Sequence, residues 1–220
     1  MSEEGCRIYL VSPPKFEPEA FRDQLVAAID AGNVGALQIR LKDATDDEIK
    51  RSVEILLPVT DAQGICLILN DRPDLAAETG CDGVHIGQDD MPFAEARAMI
   101  GDDKIVGVTC HDSRHLAIVA GEQGADYVAF GAFHPSITKD ASTQATPEII
   151  EWWSGLMVIP SVAIGGITAQ NCAPIVQAGA DFIAAISAIW DWPDGPAAGI
   201  RALDAAINSA LHGESAAVSS

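Results

Sequence analysis

Residues 105–130 read IVGVTCHDSRHLAIVAGEQGADYVAF, and they hold one complete unit of the fold. Ile105–Thr109 is a short apolar, β-branched run that suits a buried strand. Ser113 is a residue type that opens helices; Ser113–Gln123 is an amphipathic stretch, and Gly124 stands where a left-handed residue closes it. Tyr127–Phe130 is a second buried-strand run. Strand, helix and strand in that order require a right-handed crossover and a parallel sheet.

The unit recurs on both sides. Strand runs at Ile8–Val11, Ala36–Arg40, Ile65–Leu69 and Gly83–Ile86 precede it, and Ser161–Ile164 and Phe182–Ile186 follow, which makes eight strands. Helical stretches lie at Pro18–Asp30, Asp46–Asp61, Pro92–Ile100, Pro147–Leu156, Ala169–Ala178 and Pro196–Leu211. Further start signals are Asp46 and Asp47 before Glu48, Thr146 before Pro147, and Thr168; Gly32, Gly80 and Gly179 suit left-handed closing positions. Eight such units in 220 residues predict an α/β fold, a single (β/α)₈ TIM barrel, with an open doubly wound sheet as the alternative. Residues 1–212 form the expected catalytic barrel domain, and the small, polar tail 213–220 is expected to be disordered.

Thirteen Lys and Arg stand against 32 Asp and Glu, a net charge of -19, so nucleic acid and an anionic membrane surface are poor partners. A small anionic substrate must then meet a local cluster of the few cations. Five scattered cysteines without a C-x-x-C pair argue against a disulfide framework or a zinc site, and read as free thiols in a reducing compartment. Residues 1–5 lack the basic and apolar regions of a signal peptide, and no apolar run approaches the ~20 residues that span a bilayer. The expected location is cytoplasmic.

A barrel of this kind does its chemistry at the C-terminal ends of its strands. The second strand ends in Gln38-Ile39-Arg40-Leu41-Lys42, where alternation sends Gln38, Arg40 and Lys42 one way. Two cations at a barrel mouth are costly to bury without an anionic ligand, although a solvated surface edge is the alternative. The third strand runs into Asn70-Asp71-Arg72, and the fourth is followed by Gln88-Asp89-Asp90. Carboxylates from adjacent strand ends can share Mg²⁺ and leave positions open for diphosphate oxygens, though either Asp could instead cap a helix. After the sixth strand, 131–139 offers Ser136, Thr138 and Lys139, a loop that can close over a phosphate. After the seventh, Gly165-Gly166-Ile167-Thr168 leads directly into a helix, and the eighth ends in Ile186-Ser187; both are phosphate-binding positions in barrels. His85 reads as a hydrogen-bonded core histidine. Cys110-His111 resembles a nucleophile–base pair only if neighbours on a strand face each other. Trp152-Trp153 reads as packing or as a contact in a homo-oligomer.

These blocks, in this order from about Ile8 to Ala188, resemble the thiamine-phosphate synthase family. The matching residues are Gln38-x-Arg40-x-Lys42, Asn70-Asp71-Arg72, Asp82 through Asp90, Gly131 to Lys139, and Ala163 to Ile167. That family couples an aminopyrimidine-methyl diphosphate to a thiazole phosphate and releases diphosphate. The resemblance implies that Gln38 contacts the pyrimidine. It implies that Arg40, Lys42, Asn70 and Lys139 hold the diphosphate, with Thr109 at the position of a family serine. By the same resemblance Asp71 and Asp90 carry Mg²⁺, and Ser136, Thr138, Gly166, Ile186 and Ser187 hold the thiazole phosphate. Arg40, Lys42 and Lys139 would carry the catalytic charge, and the partners would be small phosphorylated heterocycles.

Several positions depart from the family pattern: Ser136 where a threonine is usual, Thr109 for serine, His134, and the acidic Trp190-Asp191-Trp192-Pro193-Asp194. Two alternative functions stand beside this one. A thiazole tautomerase on the same fold would use His111 or His134 as a proton shuttle, and a non-catalytic barrel would bind a phosphometabolite without turnover.

Overall fold

All eight strand runs become strands, and the alternation of strand and helix closes into a ring. The structure, a computed structural model, describes residues 5–135 and 144–213. The strands are β1 (Arg7–Val11), β2 (Val34–Ile39), β3 (Cys66–Asn70), β4 (Gly83–Ile86), β5 (Ile105–His111), β6 (Tyr127–Gly131), β7 (Ser161–Ile164) and β8 (Phe182–Ala185). The helices are α1 (Pro18–Ile29), α2 (Asp46–Gln63), α3 (Pro73–Thr79), α4 (Phe93–Ile100), α5 (Arg114–Gln123), α6 (Pro147–Leu156), α7 (Ala173–Gln177), α8 (Ser187–Trp190) and α9 (Pro196–His212). Each strand pairs in parallel with the next, and β1 pairs with β8 in the register Arg7↔Phe182 to Leu10↔Ala185, so the sheet is a closed barrel. The open-sheet alternative is thereby excluded.

Both faces of every strand are buried, which is why the strands read as unbroken apolar runs. Outward-facing residues such as Leu10, Leu37, Leu67, Val84 and Ile183 pack under the helices. Inward-facing Tyr9, Val11, Ala36, Tyr127, Ala129 and Ala184 fill the lumen, where the small residues make room for the two tyrosines. A Cβ at Gly107 would overlap the Tyr127 ring, so this position has to be glycine. Trp153 is buried against Phe130 at 5.8 Å, with its indole N–H donating to Ile159 O at 2.8 Å. Trp152 is covered by the Arg114 guanidinium, 4.8 Å from its ring centroid. Both tryptophans thus make packing contacts within the chain.

The helix termini correct three expectations and bear out a fourth. The cap of α2 is Thr45, not Asp46 or Asp47: Glu48 N–H donates to Thr45 Oγ1 at 3.3 Å and Thr45 N–H to Glu48 Oε2 at 2.7 Å. Asp46 and Asp47 instead occupy the first turn, where the helix dipole favours them. Thr45→Ala should cost about 1 kcal/mol and lower Tm by about 2–4 °C in a thermal melt, with no loss of activity. Thr146 is the cap residue of α6, with Pro147 opening the first turn as expected, although its side chain makes no cap hydrogen bond. Thr168 does not open a helix. The Asn171 side chain accepts from Thr168 N–H at 2.7 Å and donates to Gly166 O at 3.0 Å, which ties 166–171 into a turn and delays α7 to Ala173. Gly32 is not left-handed; its constraint is close approach, since a Cβ there would lie 2.8 Å from Ile200 Cγ2 of α9. Of α3 only the closing Gly80 was expected from sequence, and it is left-handed at φ 79°; α8 had no counterpart among the sequence expectations.

Among the described residues no helix is long and apolar enough to cross a membrane. All five cysteines are free, and burial pushes the Cys6 and Cys110 thiols up to about 12, which leaves them unreactive. Of the expected disordered tail 213–220, all but Gly213 lies outside the described residues.

Candidate active site

The strand ends surround a cavity of about 350 Å³ at the C-terminal mouth of the barrel. Nine of the residues expected to hold substrate or metal line it: Gln38, Arg40, Asn70, Asp71, Asp90, Thr109, Gly166, Ile186 and Ser187. Lys42 does not. The strand β2 ends at Ile39, so alternation stops there; Lys42 is exposed, with its backbone N–H donating to Pro14 O at 3.0 Å. Ser136, Thr138 and Lys139 lie outside the described residues.

One wall of the cavity is acidic with a cation over it. Asp71 follows β3 in a left-handed conformation, φ 62°, one that Asp tolerates better than most residues. Its backbone N–H donates to His85 O at 2.8 Å, so the strand pairing fixes where its side chain starts. Asp90 does not cap α4. Its Oδ2 accepts from Gly87 N–H at 2.7 Å, and a Cβ at Gly87 would lie 2.8 Å from that oxygen. This turn brings the Asp90 carboxyl into hydrogen-bonding contact with Asp71. Burial first, then Asp90, pushes the Asp71 carboxyl from its usual 3.8 up to about 6, while Arg40 and a hydrogen bond from Asn70 pull it back.

The Asp71 carboxyl beside Asp90 therefore keeps its proton more readily than a free carboxyl does, and a cation bound there would displace that proton. Among the described residues no group of three or more His, Cys, Asp or Glu is arranged to hold a metal. A cation between Asp71 and Asp90 would therefore complete its shell with water and substrate oxygens, which is how Mg²⁺ is ordinarily held.

The floor of the cavity is polar and hydrogen-bonded. Gln38 Nε2 donates to Tyr9 Oη at 3.2 Å, Tyr9 Oη meets Tyr127 Oη at 2.8 Å, Tyr127 Oη meets His85 Nδ1 at 2.8 Å, and His85 Nε2 meets Thr109 Oγ1 at 2.7 Å. His85 is thus a core histidine, stacked on Tyr127 with ring centroids 5.6 Å apart. Tyr9 and Tyr127 were not singled out from sequence. The available signal was their parity: each lies two residues before another lumen position, Val11 and Ala129. Cys110 and His111 face opposite ways, Cys110 into the outer core and His111 into the cavity, so they form no nucleophile–base pair.

The opposite wall is built from backbone. Gly165 and Gly166 have φ 106° and 62°, and a Cβ at Gly166 would lie 2.6 Å from Pro135 O. The β6 loop lies against this turn, with His134 N–H donating to Gly165 O at 3.0 Å; this contact accounts for the backbone of His134. The strand β8 runs straight into α8, so the first-turn amides at Ser187 and Ala188 stand at the cavity, where a helix leaves N–H groups unpaired. Trp190 is turned inward: its indole N–H donates to Val11 O at 2.7 Å and its ring packs on Phe21 at 4.8 Å. That anchor directs Asp191 and Asp194 to solvent, so the acidic stretch leaves the cavity wall uncharged.

Fold and site together define a (β/α)₈ barrel with a cation-and-carboxylate wall facing a backbone-amide wall across one small-molecule cavity. The chain belongs to the thiamine monophosphate synthase family, whose family model matches residues 8–189. It is 60% identical over 195 residues to the thiamine-phosphate synthase of Rhodospirillum centenum, covering 89% of this chain and 94% of that protein. It is 46% identical over 209 residues to the thiamine-phosphate synthase of Hyphomonas neptunium, covering 92% and 94%. The solved thiamine phosphate pyrophosphorylase from Pyrococcus furiosus superposes with a TM-score of 0.82 at 29% identity, covering 93% of this chain and 96% of that one. Orotidine 5'-phosphate decarboxylase from Pyrococcus horikoshii, TM-score 0.67 at 16% identity, shares the fold alone.

Proposed function

We propose that this chain is a transferase that couples an aminopyrimidine-methyl diphosphate to a thiazole phosphate, giving thiamine phosphate and diphosphate. The observation that carries this is the pairing, in one cavity, of two unlike anion-binding walls. Arg40, Asn70, Asp71, Asp90 and Thr109 lie on one side, and Gly166, Ile186 and Ser187 on the other. A diphosphate with its cation suits the first wall, and a monophosphate suits the second.

Gln38 holds the pyrimidine at the floor, between the walls. Arg40 offers a planar fork of donors that matches diphosphate oxygens, and Asn70 and Thr109 add neutral donors. Mg²⁺ held by Asp71 and Asp90 would neutralise the charge that grows on the departing diphosphate. The bond between the methylene carbon and the diphosphate oxygen breaks with its electron pair leaving on oxygen. The electron-rich pyrimidine supports the cation that remains, and the thiazole nitrogen lone pair then forms the new C–N bond. This substitution needs no nucleophile and no strong base from the protein, only alignment and electrostatic stabilisation. The amides of Gly166, Ser187 and Ala188 fix the thiazole phosphate so that its ring nitrogen faces the methylene.

The test is to mix the purified protein with both substrates and Mg²⁺ and to measure thiamine phosphate, with EDTA as control. Metal-dependent product is expected. Binding of both substrates without product would overturn the assignment and leave a phosphometabolite-binding barrel.

A further inference from the structure

The polar chain across the barrel floor links five strands: Gln38 on β2, Tyr9 on β1, Tyr127 on β6, His85 on β4 and Thr109 on β5. Gln38, Tyr9, Tyr127 and His85 are 4%, 4%, 7% and 8% exposed, so water has little access to the links. Burial also pushes both phenols well above their ordinary range, so each keeps its proton.

In such a chain, when every buried proton finds an acceptor, the direction of one hydrogen bond fixes the rest. Each hydroxyl has one proton to donate, and a neutral imidazole has one N–H and one bare nitrogen. With Gln38 Nε2 donating to Tyr9, the Tyr9 proton goes to Tyr127 Oη and the Tyr127 proton to His85 Nδ1. The imidazole proton must then sit on Nε2 and point at Thr109 Oγ1. Thr109 accepts there, and its own proton is left for the cavity. Reversing the chain would need every link reversed, with a flipped Gln38 amide accepting at one end. Thr109 would then present only lone pairs to the cavity at the other.

The two senses suit different ligands. An oxyanion takes only donors, and an aromatic amine asks for an acceptor. In the first sense Thr109 donates into the cavity, and Gln38, whose nitrogen is engaged by Tyr9, has its carbonyl oxygen to accept from an amine. In the second sense both ends are mismatched to a ligand with an amine at one end and a diphosphate at the other.

We propose that Tyr9, Tyr127 and His85 are positioning residues whose one-way hydrogen-bond chain holds His85 as the neutral Nε2–H tautomer and so sets Thr109 as a donor to diphosphate and Gln38 as an acceptor for the pyrimidine amine. This rests on the substrate assignment above for its ligands, but not for its tautomer. Interrupting the chain in the middle removes its direction: in Tyr127→Phe no phenol proton reaches His85 Nδ1, and the sense of the bond to Thr109 is no longer set from Tyr9. The kcat/KM for the pyrimidine diphosphate should fall about 10- to 100-fold, the scale of one hydrogen bond to a charged group. KM for the thiazole phosphate should stay within about twofold, because Gly166 and Ser187 are untouched. Thr109→Val should lose the rate, and Thr109→Ser, which restores the hydroxyl donor, should recover most of what Thr109→Val loses. The double variant Tyr127→Phe/Thr109→Val should be no worse than Thr109→Val, because the two act through one hydrogen bond.

The decisive measurement is ¹⁵N NMR of histidine-labelled, substrate-free protein, with the His85 signals assigned by their loss in His85→Asn. A protonated Nε2 and a bare Nδ1 are expected in the wild type, and a mixture of tautomers in Tyr127→Phe. Should Tyr127→Phe fail to fold, Tyr9→Phe interrupts the same chain one link earlier. A protonated Nδ1 in the wild type, alone or with Nε2, overturns the proposal, as do additive losses in the double variant. The spectrum is recorded without substrate, so an inactive wild type would overturn the substrate assignment while the tautomer still decides the chain.

Discussion

Arg40→Ala should lower kcat/KM for the pyrimidine diphosphate by about 10²- to 10³-fold, the cost of removing one preorganised charge stabiliser from a transition state. Arg40 is the cation that the described residues bring to the cavity beside Asp71 and Asp90. It stands one residue beyond β2, where its backbone N–H donates to Ser12 Oγ at 2.9 Å, so the side chain is set from below by the barrel itself. That hydrogen bond survives the substitution, and the thermal midpoint should move by no more than about 2 °C. Arg40→Lys keeps the charge but not the planar fork, and should recover only part of the loss. The guanidinium also holds the Asp71 carboxyl down, so its removal should shift the acid limit of activity to higher pH. Near-normal turnover in Arg40→Ala would overturn its assignment to the diphosphate.

Why these features were or were not legible in the sequence has a physical basis. The strands were legible because both of their faces are buried, and β4 and β7 match residue for residue. Helix starts were less so, because a capping box and an acidic first turn look alike in sequence: Thr45 caps α2, while Asp46 and Asp47 only sit favourably. The helix α8 has four residues, too few to show a period, yet it supplies the amides at Ser187 and Ala188. Alternation found Gln38 within the strand, carried one residue past its end to Arg40, and had failed by Lys42, three residues beyond Ile39. The acidic stretch after Ser187 looked hostile to a phosphate until Trp190 was seen to anchor it outward. Tyr9 and Tyr127 escaped notice because a tyrosine in a strand reads as bulk. Their importance comes from partners 29, 118 and 42 residues away, which no local pattern contains.

Asp71 yields the sharpest expected result, because one substitution should damage activity and strengthen the fold. Its carboxyl titrates at about 6 instead of 3.8 in the metal-free protein. Between those values the folded chain holds a proton that the unfolded chain has released, so stability falls as pH rises from about 4 through 6. Above 6 the folded protein carries an Asp71 carboxylate disfavoured by burial and by Asp90, a cost that Arg40 and Asn70 only partly offset. Asp71→Asn removes that cost without changing shape. At pH 8 in EDTA the variant should melt on the order of 2–4 °C above the wild type, and at pH 4 the two should coincide. Added Mg²⁺ should then raise the melting temperature of the wild type and leave the variant unmoved, which reverses their order. Protons compete with the cation for the pair, so Mg²⁺ affinity should weaken about tenfold for each pH unit below 6. Turnover in Asp71→Asn should fall by about 10³ or more, the effect of withdrawing several kcal/mol of transition-state charge stabilisation. A variant no more stable than wild type in EDTA would mean that the Asp71 carboxylate carries no such cost. Substantial Mg²⁺-dependent turnover in the variant would mean that the cation sits elsewhere.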